Sequence, residues 1–246
     1  MARKPRKSPA RRSAAAGAKA APTNGGGASR PASTRERIIQ AFMRLLAEKP
    51  IEDVGFAEIA TRAGVSLSEL REAFGAKLAI LAAHVKEIDR RVLAAEDAEM
   101  AEESPRERLF DVLMRRIELL EPRKAAVRSL IRSCERNPAL ALALNGVAVR
   151  SQQWMLTAAN IDTSGTQGMV RAQGLALLFA SVLRVWIHDE DPGHARTMAA
   201  LDRALARGQR WSGLLDVLCR IPRFVSRTGR RRRWDADDVD DERAAA

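Results

Sequence analysis

The chain has 246 residues, 46% of them hydrophobic, which is enough for one or two packed domains. Its two cysteines, Cys134 and Cys219, are far apart and form no CxxC pair, which argues against a disulfide framework or zinc site and fits a reducing cytoplasm. The formal charge of +11 is concentrated at the ends: residues 1–32 hold eight basic groups and no acid, residues 220–233 seven arginines and no acid, and residues 235–243 a net −5. Removing the +8, +7 and −5 of those segments leaves +1 for the middle, which argues against a broad phosphate-binding surface there.

Residues 1–32 are Ala, Ser, Pro and Gly around basic groups; they offer nothing to bury and read as a disordered basic tail. The first helical pattern follows a capping box, Ser33 with Glu36, and runs through Ile38, Ile39, Phe42, Leu45 and Leu46 to Pro50. Phe56, Ile59 and Ala60 mark a second, short helix by their i, i+3, i+4 spacing. Gly64 then supplies a positive-φ helix end, and Ser66 with Glu69 forms another capping box. Leu70 and Phe74 turn this third helix toward a core. A short helix, a glycine turn and a capped short helix make the pattern of a helix-turn-helix, which also fits any helical hairpin.

Lys77 to about Met100 reads as a long helix packed through Leu78, Leu81, Val85, Ile88 and Val92. Pro105, Pro122 and Pro138 open three more, as proline does at a helix start. Residues 161–168 (IDTSGTQG) read as a loop, and Met169 to His188 as the most apolar helix. The run from Gly174 to Ile187 is short of a membrane span and carries Arg184, so it is expected to be buried. His188, Asp189, Glu190, Asp191 and His194 form the one grouping of metal-ligand types, but they are nearly consecutive in a turn and are read as a solvated loop. Another helix follows at about 194–207. Beyond it Trp211, Leu214, Leu215, Leu218, Ile221 and Val225 form an apolar stripe among arginines, interrupted by Gly213 and Pro222. That stripe either packs on its own bundle or lies on an anionic membrane surface through 211–227.

High Ala, Leu, Arg and Glu content with few strand-like runs favours an all-α fold. Residues 33–77 form the expected helix-turn-helix domain and 78–219 a helical body, followed by an Arg-rich then acidic tail over 220–246. A nucleophile–base pair, a phosphate loop and a credible pair of carboxylates are all missing from the sequence, so neither an enzyme nor a cofactor is expected. Met114, Ile117, Trp154, Met155 and Phe179 are the expected lining of a pocket for a small apolar effector, from their thioether and aromatic surface.

Three stretches, TRERIIQAF from Thr34, EIATRAGVS from Glu58 and Leu70 through Phe74-Gly75 to Lys77, resemble the tetracycline-repressor (TetR) family of transcriptional regulators. The likeness covers about 45 residues closely, and the rest in helical layout. It implies a homodimer that binds double-stranded DNA, with a head, a linking helix from Lys77 and an effector-binding body. On that basis Ser68, Arg71 and Glu72 would face the groove, Ser33, Arg35, Thr61 and Lys77 would hold phosphates, and Ser66 would also belong to the DNA-binding set. The two helices near 169–188 and 194–207 would form the dimer interface, through Leu178, Val182, Val185, Met198, Leu201 and Leu205. The family usually places tyrosine right after the position of Leu70, where this chain has Arg71, and residues 33–77 carry seven basic and seven acidic groups. The chain is also similar to the lipid-binding accessory proteins of ubiquinone biosynthesis. That likeness rests on the neutral helix-turn-helix, on VWIHDEDPGHARTMAALDRAL from Val185 and on the stripe after Trp211. It implies an isoprenoid-binding body and a membrane-facing last helix.

Overall fold

The computed structural model describes residues 32–95 and 102–219, with side chains to residue 208. Among the described residues the elements are helical throughout: α1 (Thr34–Glu48), α2 (Phe56–Ala63), α3 (Leu67–Ala73), α4 (Lys77–Ala94), α5 (Pro105–Leu120), α6 (Lys124–Arg136), α7 (Pro138–Ala158), α8 (Gly165–Trp186) and α9 (Ala195–Cys219). Short 3-10 turns, Ile51–Asp53 and Glu121–Arg123, precede α2 and α6. The basic tail, the arginine run and the acidic end lie outside the described residues. So do the side chains of the stripe from Trp211, and its question of burial against exposure lies outside them too.

Local chemistry explains the boundaries. Ser33, Ser66 and Ser104 each close a full capping box, with Glu36, Glu69 and Glu107 reaching back to the cap backbone. Asn137 caps α7, where Pro138 occupies a first-turn position that needs no N–H donor. Helix α8 starts at Gly165, so the second half of the expected 161–168 loop is helical. A side chain at Gly168 would place its Cβ 2.0 Å from the backbone of Thr163, so only glycine lets the chain turn this tightly into the helix. Helix α9 continues unbroken through Gly208 and Gly213, joining the expected 194–207 helix to the start of the later stripe.

Two apolar cores result. Ile38, Phe42, Leu45, Leu46, Ile59, Leu70, Phe74 and Ile80 gather α1 to α3 and the start of α4 into a head. Leu113, Ile117, Met155, Phe179, Trp186 and Leu201 centre the body. Helix α6 touches both: Ala126 and Leu130 join the head core, while Val127 and Ile131 pack on the body. Its polar groups tie in the same way. Ser129 Oγ donates to the Lys49 carbonyl at 3.1 Å and Ser133 Oγ to Glu52 at 2.9 Å. Lys124 and Arg128 hold the Asp189 and Ile187 carbonyls just past the end of α8. Although α8 is long and apolar enough by composition to cross a membrane, its Ala172, Leu175, Phe179, Val182 and Trp186 face are buried in the body.

The turn between α8 and α9 is a built cap. Asp189 is fully buried and its carboxylate accepts from Thr197 N and Thr197 Oγ1 at 2.9 and 2.6 Å. Asp191 accepts from Gly193 N and Ala195 N. The sequence reading of a solvated loop is corrected here: these acids satisfy the orphan N–H groups at the start of α9.

Candidate nucleic-acid interface and buried polar layer

The turn between α2 and α3 is fixed by backbone geometry. Gly64 sits at φ 63°, ψ 45°, where a side chain is strained. Its N–H reaches the Thr61 carbonyl and the Val65 N–H the Ala60 carbonyl, closing the end of α2. Glu69 then accepts from Ser66 N at 2.7 Å and from Ser66 Oγ at 2.8 Å. These bonds from Ser66 hold its carboxyl below the ordinary range. Leu70 and Phe74 anchor α3 inward, so Leu67, Ser68, Arg71 and Glu72 are left on its exposed side.

The basic groups of the head mostly serve the head. Arg35 Nη1 donates to the Ala73 carbonyl at 2.6 Å, with its guanidinium 4.2 Å above the Phe74 ring. This brings the start of α1 (Ser33, Arg35) beside the end of α3 (Arg71, Glu72), gathering four residues expected in the interface. Arg71 Nη1 reaches the Gly75 carbonyl at 3.2 Å. Arg37, unmarked by the sequence reading, donates to the Ala63 and Gly64 carbonyls and braces the turn. Arg62 pairs with Glu48, and Lys49 with Glu58. Arg44 is exposed on α1 with no hydrogen bond or ion pair among the described residues.

Two expected phosphate contacts fare differently from Ser33 and Arg35. Half-buried Lys77 gives its ammonium to the Ile51 and Val54 carbonyls at 2.8 and 3.1 Å, fastening α4 to the turn before α2. Thr61 is exposed but returns its hydroxyl to the Ala57 carbonyl. Leu67 is 56% exposed at the first position of α3, an apolar groove-side group that its place next to the Ser66 cap could have signalled.

In the body, Met114, Ile117, Met155 and Phe179 all lie in one packed core. Trp154 does not. It is 59% exposed, because residues 151, 152, 155 and 156 form the inward face of α7 and position 154 turns away from it. Nor are these residues purely apolar in their surroundings. Asp89 of α4, Arg116 of α5 and Ser151 of α7 are buried together. Arg116 Nη1 stands 2.9 Å from Asp89 Oδ1 and donates to Ser151 Oγ at 2.5 Å, while Ser151 donates to Asp89 at 2.8 Å. Phe179 stacks on the guanidinium at 5.4 Å. Burial pushes the Asp89 carboxyl up and the Arg116 guanidinium down. Arg116 Nε, Gln152 Oε1 and His84 Nε2 are buried without a hydrogen-bond partner. Burial, with nearby Arg123, Arg91 and Arg116, lowers His84 to about 4, so it is neutral at physiological pH.

The expected dimer residues divide by face. Val182, Leu201 and Leu205 are buried in their own protomer's core, a correction of their assignment to a partner contact; Leu178 and Val185 are half-buried and Met198 is exposed. The outward side of α8 instead carries Met169, Val170 and Leu177, the last 61% exposed.

Comparison with solved structures supplies the fold's name. A TetR transcriptional regulator from Rhodococcus sp. RHA1 is similar at 26% identity, covering 70% of this chain and 94% of that one, with a TM-score of 0.51. A TetR transcriptional regulator from Nitrosomonas europaea is similar at 24% identity, covering 72% and 98%, with a TM-score of 0.56. This chain has the TetR-family regulator fold. No family model and no curated protein matches its sequence. In the TetR arrangement the head is the helix-turn-helix region just described, and α4 leads from it into the body.

Proposed function

We propose that this protein is a DNA-binding transcriptional regulator, cytoplasmic and homodimeric, whose helix α3 enters the major groove. The observation that carries the reading is the Gly64 turn between α2 and the capped α3. It fixes α3 on two inward anchors and offers Ser68, Arg71 and Glu72 outward, beside Ser33 and Arg35. Likeness to a solved TetR transcriptional regulator at 26% identity supports it. Residues 33–77 are the DNA-binding head and 78–219 the body that binds an effector and the second copy.

The second copy accounts for the outward side of α8, where Met169, Val170 and Leu177 are exposed. Two heads on a two-fold axis would read a palindrome with half-sites about one helical turn apart. The head's own charge is balanced, so phosphate attraction falls largely to the eight basic groups of residues 1–32. Repression, with release by an effector held in the body, is the mode we favour. It would act as a population shift between two settings of α4, the helix that joins head to body.

Selection from a random duplex pool with the full chain tests this reading. An enriched two-fold symmetric sequence is the expected result. A pool without enrichment, together with a co-purifying isoprenoid lipid, would move the protein to the lipid-binding reading.

A further inference from the structure

The polar layer of the body is built at a cost that stability does not explain. Replacing a buried ion pair by apolar groups of similar volume is often neutral or stabilising, and each orphaned buried polar atom is unfavourable. Here α4, α5 and α7 place an ion pair and three such atoms in the interior, around Asp89, Arg116 and Ser151. The orphans are complementary in kind: Arg116 Nε is a donor, Gln152 Oε1 an acceptor, and neutral His84 can be either at Nε2.

We propose that this layer is the polar end of the effector site and takes an uncharged molecule, an apolar body bearing a hydroxyl or amide group. The proposal rests on the regulator reading and specifies its ligand. A hydroxyl or amide can accept from an orphan donor such as Arg116 Nε or donate to an orphan acceptor such as Gln152 Oε1. Met114, Ile117, Met155 and Phe179 supply the apolar wall. Charge selects against ions. Asp89 and Arg116 already neutralise each other at 2.9 Å, so neither is free to serve as counter-charge to an entering carboxylate or ammonium. The apolar effector expected from the sequence is thereby specified as one with a single neutral polar group.

Calorimetric titration of the full chain with decanol, decanoic acid and decylamine near neutral pH tests the assignment. Decanol is expected to bind at least ~10-fold more tightly than either ion, the penalty of one unpaired buried group. Gln152→Leu conserves volume and removes an orphan acceptor, so it is expected to fold normally, melt no lower than the parent and bind decanol ~10-fold more weakly. Equal binding of the three probes, tighter binding of the acid or amine, binding of none, or an unchanged decanol affinity in Gln152→Leu would overturn the proposal. Duplex selection on the same preparation separates the two readings. A protein that enriches a palindrome yet ignores decanol loses this inference and keeps the regulator function.

Discussion

In the head, no polar side chain of residues 33–77 is buried, and Arg35, Arg37 and Lys77 spend their charge on exposed or half-buried carbonyls at helix ends. The body does the reverse. It buries Asp89, Arg116, Ser151 and Gln152 between helices and leaves five buried polar atoms unpaired among the described residues, three of them on the helices of that layer. A scaffold that must only hold a turn in place can be apolar inside and capped at its ends. An interior with unspent hydrogen-bonding capacity is what a region looks like when its inside, not its surface, is the working part.

Breaking the buried pair is the strongest way to test that contrast. Arg116→Met leaves the Asp89 carboxylate buried without its partner and is expected to cost about 3–5 kcal/mol. Asp89→Leu combined with Arg116→Met should restore most of it. Urea unfolding of the two variants measures the difference, and equal losses would mean that the pair is not an isolated unit.

Acid should weaken the body next. Burial lowers His84 from 6.5 to about 4, so the unfolded chain takes up the proton first as pH falls. The stabilisation is complete above 6.5 and is lost as pH falls toward 4, by roughly 3 kcal/mol in all. Glu87, lowered to about 2 by its bonds to Arg90 and Arg91, adds its own acid sensitivity only below about 4.5, its ordinary value. Between pH 6.5 and 4.5 the histidine therefore acts without Glu87, and the difference in unfolding midpoints between the parent and His84→Gln over that window reads its share.

The head should respond most to its backbone. Gly64→Ala meets no close contact, since the nearest atom to a new Cβ is Arg37 Nη1 at 3.7 Å, but it forces alanine to φ near 63°. The expected loss is about 1–2 kcal/mol, with a matching fall in DNA affinity as α3 loses its setting. A variant as stable as the parent would show that the turn relaxes freely.

The head was legible in the sequence because its signals are local. A serine and a glutamate three residues apart, or one glycine between two apolar pairs, specify geometry without reference to anything distant. The polar layer was not, because Asp89, Arg116 and Ser151 are separated by whole helices and each looks like a surface residue among other charges. One signal was available: Arg116 falls in register with Leu109, Val112, Leu113 and Leu120, a charge on the apolar face of α5. Choosing Trp154 by residue type, and Val182, Leu201 and Leu205 by helix without regard to face, failed because side-chain direction decides what a residue can touch.

The central claim is that this charge-balanced head still reads sequence. Its most direct test is the affinity of residues 33–246, at one salt concentration, for the enriched duplex and for a scrambled duplex of the same composition. A preference of at least about 100-fold is the predicted result, at or below the low end of specific recognition. Equal affinity for both duplexes would contradict the account.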